Sequence, residues 1–527
     1  MVIENRIGEL IESIRATYQS EVDVRELRKL YAPLSRWETL RQQVATFARE
    51  GALYVRPYFF WLPRPVKKIA AQTLVRQTAR SKARPKRKKA DPLFNFTPLP
   101  GPGRASYAYK PVSGRVLYLL NNSRPYHNGG YAVRAHGIIK ALQQHGIEVI
   151  PVLRPGYPAD NFKDMRAEKA VEVDGVTYRF LSQDVNRYRM RRSEYAERYA
   201  TELLKVVKEF RPAILHAASF HFNAHAALKV REALGTPVVY EVRGLSLLID
   251  ISNDNLGDER HPKMLPSWYR LLEFHEEVEV SKAADHLLCI TGAMAHLFQS
   301  LGVPPEKCSL LLNAAEETKY EIRSGQPRSK GTIGYFGSIQ FYEGLEDLCT
   351  AIEILAEEHP ELAANALIIG DGPHAPTLKS RIASSPHGHL IKFHGRVPHE
   401  QIGAYFGMCQ AMVYPRRPFP VSELVSPLKP FEPMALGIPV ISSDVAALSE
   451  IVLNGRTGFT FRAGDPRELA KTIASVLSDS AEAASVSENA RSYVRDERTW
   501  RRTTEALPEL YRKLETQARS NRRWFAL

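Results

Sequence analysis

Short apolar runs alternate with segments of helical periodicity over most of this chain, beginning near residue 115. Residues 116–120 (Val-Leu-Tyr-Leu-Leu) are continuously apolar, which is typical of a parallel strand buried on both faces. Residues 132–145 then carry apolar positions at helical spacing up to Gly146, and residues 147–152 form the next apolar run. Because this alternation continues to about residue 320, we predict a doubly wound parallel sheet.

The same alternation starts again after a polar stretch at residues 324–331. Four further apolar runs, separated by helical patterns, lie at residues 332–336, 366–369, 390–393 and 411–414. The sequence thus predicts an α/β fold with two Rossmann-like, doubly wound domains, at residues 112–323 and 330–482. We expect the C-terminal helices at residues 483–527 to pack back on the first domain. Sites in such sheets lie beyond the carboxyl ends of the strands, so a ligand cleft is expected between the two domains.

The first 111 residues lie outside this alternation. Apolar side chains recur at helical spacing from Ile3 to Ile14, which predicts a helical N-terminal extension over residues 1–63. Residues 64–111 are rich in Lys, Arg and Pro and are predicted to be a linker.

The net charge of +14 is concentrated in this linker, because residues 64–89 contain eleven Lys or Arg and no Asp or Glu. An aromatic cluster at residues 54–62 lies just before this run. Aromatic side chains beside basic ones fit adsorption of residues 54–89 to an anionic membrane surface. Nucleic-acid binding is a less favoured alternative, and a solvated linker is the simplest one.

Length and composition limit the remaining classes. A chain of 527 residues is too long for one hydrophobic core. Its four cysteines have no metal-ligand spacing, which argues against a disulfide framework or a zinc site. Neither a signal-peptide pattern nor an apolar run of roughly 20 residues is found. We therefore expect a cytoplasmic protein, in solution or peripheral on the inner face of the membrane, of undetermined oligomeric state.

The candidate chemistry is concentrated in residues 422–437. A predicted loop carries Glu423 and Lys429, and a short helix that ends at Gly437 carries Glu432. Backbone N–H groups and a lysine suit a diphosphate, whereas carboxylates suit sugar and ribose hydroxyls. The combination therefore fits a sugar nucleotide. The alternative is that both carboxylates only favour the helix dipole.

Three further candidates follow strands of the first predicted sheet. Gly129 and Gly130 stand where a loop meets a helix, where glycine lets backbone N–H groups approach a phosphate. His216 could contact the donor sugar or accept a proton from the acceptor, or it could be hydrogen-bonded into the turn. Arg243 could face the cleft or form an internal ion pair with Glu241.

Residues from about 112 to 515 resemble the GT-B glycosyltransferases of the family-4 retaining type. The motifs that carry this resemblance lie, in chain order, at residues 128–137, 290–292, 313–316, 370–373, 393–397, 431–440, 448–452 and 454–458. The resemblance implies transfer of a sugar from a nucleotide-diphosphate sugar to a hydroxyl of a glycan or lipid-linked acceptor, with retention. Synthesis of a polysaccharide, glycolipid or cell-surface glycan would be the setting. No cofactor is implied, and the lack of an Asp-x-Asp motif fits metal-independent transfer.

The resemblance also implies roles for individual residues. Glu432 would bind the ribose hydroxyls, as the second carboxylate of the family's Glu-x7-Glu motif. The backbone around Arg396 and Val397 would contact the base. Gly129 and Gly130 would approach the diphosphate from the opposite wall of the cleft.

The chain departs from the family pattern in the loop before Glu432. Glu423 is separated from Glu432 by eight residues instead of seven, so the first carboxylate of the motif is displaced. Pro427 lacks an N–H group and cannot donate to a phosphate. The phosphate donors would then be the neighbouring N–H groups, those of Val425, Ser426 and Leu428.

A second departure concerns the cations that the family carries after the first strand of its C-terminal domain. Ser338 and Glu343 stand near those places, and a carboxylate cannot stabilise a phosphate. We therefore predict that Lys429 supplies the missing charge, aided by Arg243 or Arg134. The departure keeps open a scaffold that binds a nucleotide sugar without turnover. Another GT-B enzyme, such as a sugar-nucleotide epimerase that needs no acceptor, is a separate alternative.

Overall fold

The structure is a computed structural model that describes residues 2–21, 109–162, 165–249, 268–315, 329–398 and 401–524. The basic run at 64–89 and the aromatic cluster at 54–62 lie outside the described residues, as does most of the stretch at 324–331. The described chain forms two β-sheets with connecting helices, and almost all of the strands are parallel. The predicted pair of Rossmann-like domains is therefore confirmed.

The first sheet has eight strands in the order β3-β4-β2-β1-β5-β6-β7-β8. The strands are β1 (Val112–Leu120), β2 (Glu148–Leu153), β3 (Ala170–Val173), β4 (Val176–Phe180), β5 (Pro212–Ala218), β6 (Val238–Val242), β7 (His286–Cys289) and β8 (Cys308–Leu310). Only the pairing of β3 with β4 is antiparallel. Every residue of the central strands β5 and β6 is buried, which explains their continuous apolar runs.

Helices connect the strands of the first sheet, and five of them have both ends within the described residues. They are α2 (Gly130–Gln144), α3 (Arg192–Phe210), α4 (His221–Leu234), α5 (Trp268–Ala283) and α6 (Gly292–Ser300). Helix α6 begins at Thr291, whose hydroxyl accepts a hydrogen bond from the N–H of Met294 at 3.1 Å. Helix α4 ends at Gly235, which has the left-handed conformation (φ 69°) that commonly terminates helices.

The second sheet has six parallel strands in the order β11-β10-β9-β12-β13-β14. The strands are β9 (Thr332–Phe336), β10 (Asn365–Ile369), β11 (Ile391–Gly395), β12 (Ala411–Tyr414), β13 (Val440–Ser443) and β14 (Phe459–Phe461). The helices of this half are α7 (Leu345–Glu358), α8 (Ala375–Ala383), α9 (Ile402–Met408), α10 (Pro420–Leu424), α11 (Phe431–Ala435), α12 (Ala446–Ser449), α13 (Pro466–Ser478) and α14 (Ser480–Glu497).

The C-terminal helices divide between the two sheets. Helix α14 contributes Ala483, Val486 and Ala490 to the core of the second sheet. The two helices that follow, α15 (Trp500–Thr503) and α16 (Leu507–Trp524), instead place Trp500 and Tyr511 in the core of the first. Residues 483–497 thus do not pack on the first domain as expected, because their apolar face is buried with the second sheet.

The chain passes between the two sheets at two adjacent places. One is at Ala315, after β8, and the other is at Thr499, after α14. The two segments run parallel as an isolated β-bridge, and the N–H of Ala315 donates to the carbonyl of Arg498 at 2.8 Å.

The N-terminal helix, α1 (Val2–Glu21), is the described part of the predicted helical extension. Ile11 and Ile14 are buried, at 2% and 3% exposure, on the apolar side that the sequence pattern indicated. Across the described residues, no helix combines the length and the apolar character that crossing a membrane requires.

Candidate active site

Glu423 lies in a helix and not in the loop that the sequence suggested. Helix α10 begins with Pro420, which is favourable at a first helical position, and includes Glu423 in its single turn. A loop then runs from Val425 to Pro430 before α11 begins at Phe431. Helix α11 ends as predicted, with Gly437 in the left-handed conformation (φ 64°) just beyond it.

The Glu423 carboxylate is buried, with 2% of the side chain exposed, and both of its oxygens have partners. Its Oε2 accepts the N–H of Ala446 at 2.7 Å, at the start of α12. Its Oε1 lies 2.7 Å from Nε of Arg6, on the N-terminal helix. Burial raises the pKa of Glu423, and the Ala446 N–H and Arg6 partly offset that rise.

Lys429 and Arg416 both pair with Glu343. The Lys429 ammonium lies 2.7 Å from Oε1 of Glu343, and the Arg416 guanidinium lies 3.0 Å from the same oxygen. Burial alone would raise the pKa of Glu343, but Arg416 and Lys429 outweigh it and hold the pKa at about 2. The charge of the Glu343 carboxylate is therefore balanced within the protein.

The Lys429 ammonium has one weakly engaged position. It donates to the Tyr335 hydroxyl at 2.7 Å in addition to Glu343, whereas its contact with the Ser338 carbonyl is 3.4 Å long. The side chain is 19% exposed, and burial lowers its pKa to about 8 even though Glu343 favours the charged form. An ammonium has three donors, so Lys429 can give its weakest hydrogen bond to a ligand phosphate.

Gly337 makes room for this lysine. It follows β9 with a φ of +151°, and a Cβ added there would lie 2.5 Å from Cε of Lys429. A side chain at this position would both strain the backbone and displace the lysine.

Loops of the two sheets meet around the segment at residues 424–429. The Asn313 side chain, after β8, donates to the Ser426 carbonyl at 2.8 Å, and the Thr291 hydroxyl donates to the Leu424 carbonyl at 2.8 Å. Gly130 is exposed on the first-sheet side, and a Cβ added to it would lie 3.6 Å from Cδ1 of Leu428. Gly130 therefore lies beside the loop at residues 425–430, which we call the donor loop, whereas the atoms nearest to a Cβ on Gly129 belong to His127.

A third contact joins the sheets beside this segment. The N–H of Gly292, at the start of α6, donates to Oε1 of Glu450 at 2.9 Å. Burial raises the pKa of Glu450, and the N–H groups of Gly292 and Ala293 partly offset that rise.

The remaining residues predicted to bind the donor differ in how accessible they are to a ligand. The N–H of Val425 donates to the Val421 carbonyl at 3.1 Å, so it is not available for a phosphate as predicted. Ser426 is 9% exposed and Leu428 is half-buried, which leaves their N–H groups as the candidates. Glu432, in α11, is half-buried.

Arg396 and Val397 follow β11, at the edge of the second sheet formed by the carboxyl ends of its strands. The Arg396 side chain is 79% exposed and lies 3.2 Å from the Asp371 carboxylate. Val397 packs partly against the core of the second sheet.

His216 and Arg243 belong to a buried network around Glu241. His216 is fully buried, its Nδ1 lies 2.8 Å from the Tyr511 hydroxyl, and burial lowers its pKa. Arg243 is 5% exposed and its guanidinium lies 2.7 Å from the Glu241 carboxylate. Neither side chain faces an open cleft in this structure, and Arg243 makes the internal ion pair that was the alternative.

Arg134 connects this network to the donor loop. Its Nε donates to Glu241 at 2.7 Å and its Nη1 donates to the Asn313 side-chain oxygen at 2.7 Å. Asn313 in turn holds the Ser426 carbonyl. Burial would raise the pKa of Glu241, but Arg243 and Arg134 lower it well below its ordinary value, so the carboxylate stays charged.

Two residues of the site escaped the sequence analysis. Arg416 is the second residue after β12, and the Arg416-Arg417 doublet near a strand end was a signal that could have been used. Arg6 had no such signal, because the apolar spacing of α1 does not indicate which surface its polar residues meet. Among the described residues, the side chains around Glu423 and Lys429 form no cluster with metal-ligand geometry.

Comparison with known families agrees with this architecture. The family model described as glycosyl transferase 4-like domain matches residues 129–314, and the one described as glycosyl transferases group 1 matches residues 316–493. Together they cover every strand of the two sheets except β1. The chain therefore belongs to the group 1 glycosyltransferases and has the GT-B fold, as the sequence motifs predicted.

Individual relatives are distant. The chain is 21% identical over 410 residues to a glycogen synthase of Mycobacterium tuberculosis, covering 75% of this chain and 94% of that protein. It is 29% identical over 185 residues to the lipopolysaccharide core biosynthesis mannosyltransferase LpcC of Rhizobium leguminosarum bv. viciae, covering 34% of this chain and 51% of that protein.

Solved structures show the same fold. Sucrose-phosphate synthase from Thermosynechococcus elongatus aligns with a TM-score of 0.61 at 18% identity, over 76% of this chain and 99% of that chain. Anabaena HepE, in complex with UDP-glucose, aligns with a TM-score of 0.55 at 15% identity, over 76% of this chain and 99% of that chain. These likenesses concern the fold, whereas the assignment to the glycosyltransferases rests on the two family models.

Proposed function

We propose that this enzyme moves a sugar from a nucleotide-diphosphate sugar to an acceptor hydroxyl with retention of the anomeric configuration. The observation that carries the proposal is the position of Lys429. This half-buried cation stands in the loop that Gly130 faces across the two sheets, with one weak hydrogen bond to exchange. A diphosphate between Gly130 and Lys429 would meet a cation and backbone N–H donors.

The proposed chemistry follows from where charge develops. As the bond between the sugar and the diphosphate breaks, negative charge grows on the leaving phosphate oxygen, and Lys429 with the N–H groups of Ser426 and Leu428 would stabilise it. The acceptor hydroxyl attacks from the face that the phosphate leaves and passes its proton to the departing phosphate oxygen. Retention follows from attack on that same face.

The other donor contacts are proposed from the family pattern and from position. Glu432 would accept hydrogen bonds from the ribose hydroxyls, and the backbone at Arg396 and Val397 would contact the base. Glu423 would accept from sugar hydroxyls, but it is paired with Arg6 in this structure, so that pair must exchange first.

We propose a positioning role for His216 and Arg243 in place of direct contact with the donor. Their network is buried, but it reaches the donor loop through Arg134 and Asn313. A buried network with satisfied partners holds its members in one arrangement. It would therefore fix the Ser426 carbonyl and, with it, the N–H groups that follow.

The test is turnover with a panel of UDP-, GDP- and ADP-sugars, measured as nucleotide release and as sugar transfer. Release with transfer to an acceptor and retained configuration supports the proposal. Formation of a new sugar nucleotide indicates an epimerase, and donor binding without release indicates a scaffold. Glu432→Gln should weaken donor binding, whereas the matched Glu468→Gln, on the partly exposed surface of α13, should not.

The acceptor and the setting are proposed from weaker support. The names of the relatives include a glycogen synthase and lipopolysaccharide core mannosyltransferases, which supports a glycan or lipid-linked acceptor. Transfer independent of a metal would be indicated by turnover that is unchanged in EDTA. We also propose that the protein is cytoplasmic and binds the membrane surface through residues 54–89. Deletion of those residues should then abolish co-sedimentation with anionic vesicles. Equal co-sedimentation of the full chain and the deletion variant would contradict this.

A further inference from the structure

Three potential metal ligands meet between helices α4 and α5, away from the donor loop. His221 and His225 lie one helical turn apart at the start of α4, and Glu276 lies on α5. Residues four apart share one face of a helix, so both imidazoles face the same neighbour. The two ring centroids are 5.6 Å apart.

The ligating atoms are close enough to share one ion. One nitrogen from each histidine and one Glu276 oxygen all lie within 4.8 Å of one another, and Nε2 of His225 is 2.5 Å from Oε2 of Glu276. Bonds of about 2.0–2.2 Å to a tetrahedral zinc ion place neighbouring ligand atoms roughly 3.3 Å apart. Rotations of these side chains that move the atoms by about an ångström would therefore complete such a site.

The surroundings favour a cation. His221, His225 and Glu276 are buried, with 0%, 3% and 4% exposure, and α5 buries two more carboxylates, Glu273 and Glu277, at 4% each. Buried carboxylates are costly unless positive charge or hydrogen bonds compensate them. A divalent ion supplies two positive charges at the point where α5 meets α4.

The histidine pair is also held in place from the other side. Glu277 accepts the backbone N–H of His221 at 3.1 Å and accepts the Tyr240 hydroxyl with its other oxygen. This ties the first turn of α4 to α5 and to strand β6. Rigid support of this kind orients ligands before the ion arrives.

We propose that His221, His225 and Glu276 bind a zinc-class divalent cation that ties α4 to α5. Two imidazoles and a carboxylate are a ligand set that zinc accepts, and a water molecule can fill the fourth position. The ion has a structural task in this proposal: it fixes the two-residue turn at 219–220, between β5 and α4, at the carboxyl ends of the strands of the first sheet. The site does not depend on the proposed donor contacts.

The test measures metal on the full chain after an affinity tag has been removed. Protein incubated with Zn²⁺ and then desalted should retain about one zinc per chain by mass spectrometry, because three buried ligands hold an ion through gel filtration. Glu276→Gln and His225→Ala should lose it. The matched variant Glu279→Gln, on the same helix but with 37% of its side chain exposed, should retain it.

A second measurement decides the matter if the cluster variants do not fold. Wild-type protein stripped with a chelator and given Co²⁺ should develop the visible absorption of a cobalt ion bound by nitrogen and oxygen ligands, and added Zn²⁺ should abolish it and raise Tm. Wild-type protein that retains no zinc after desalting and shows no cobalt absorption would overturn the proposal. The three side chains would then be a hydrogen-bonded cluster only.

Discussion

Replacing Lys429 with methionine tests the donor site most directly, because methionine keeps much of the side-chain volume and removes the charge. Glu343 would lose its partner at 2.7 Å but keep Arg416 at 3.0 Å. Loss of one of two charged partners should lower the free energy of unfolding by about 1–3 kcal/mol. If Lys429 also faces the leaving phosphate, kcat should fall by about 10²–10³, the usual effect of removing one preorganised donor.

The assay is nucleotide release from the accepted donor, with thermal unfolding measured in parallel. Lys471→Met, on the exposed side of α13, is the matched control and should leave both quantities unchanged. Lys429→Arg should recover part of the turnover. Turnover of Lys429→Met within about twofold of the wild type, in a protein that is folded, would refute the assignment of Lys429 to the phosphate.

Three further predictions concern the same site. Donor affinity should fall as the pH rises through about 8, because burial lowers the pKa of Lys429 to about 8 and only its charged form attracts a phosphate. A pH-independent affinity for the wild type would contradict this. The free energy of unfolding should instead rise with pH above about 8, because there the unfolded chain still holds the lysine proton that the folded chain has lost. Gly337→Ala should lower the free energy of unfolding by about 1–3 kcal/mol and reduce turnover, because the added carbon displaces Lys429. Gly130→Ala should fold normally, because its added carbon lies at an ordinary distance of 3.6 Å from Leu428. Equal melting temperatures for the two variants would count against this steric argument. Arg6→Ala should lower the donor KM by releasing the Glu423 carboxylate for sugar hydroxyls, and a raised KM would show instead that Arg6 assists binding.

The domain architecture could be predicted from the sequence because buried parallel strands are continuously apolar. Strands such as β5 and β6 are buried at every residue, so their pattern differs clearly from that of the amphipathic helices. The boundary at residue 482 was less accurate. Helix α14 has the same periodicity as the helices around it, and periodicity does not indicate which sheet a helix covers.

The site was only partly predictable for a related reason. The loop at residues 425–429 and the glycine pair could be located because strand ends and loops have a local signature. The partners of Glu343 and Glu423 could not, since Arg416 and Arg6 reach them from other parts of the chain. Likewise, position at a strand end suggested that His216 and Arg243 face the cleft, but the burial of His216 depends on α16, whose Tyr511 hydroxyl lies 2.8 Å from its ring.

The two adjacent passages at Ala315 and Thr499 have a mechanical consequence. Because the N–H of Ala315 donates to the carbonyl of Arg498, the two segments are joined, and we expect the two halves to separate by a rotation about this point. Three hydrogen bonds join loops of the two halves and would act as a latch: Thr291 to Leu424, Asn313 to Ser426 and Gly292 to Glu450. At about 1 kcal/mol each, they make opening a matter of a few kcal/mol, which thermal motion overcomes within microseconds to milliseconds. Product release would then be governed by a latch weak enough to open in every catalytic cycle.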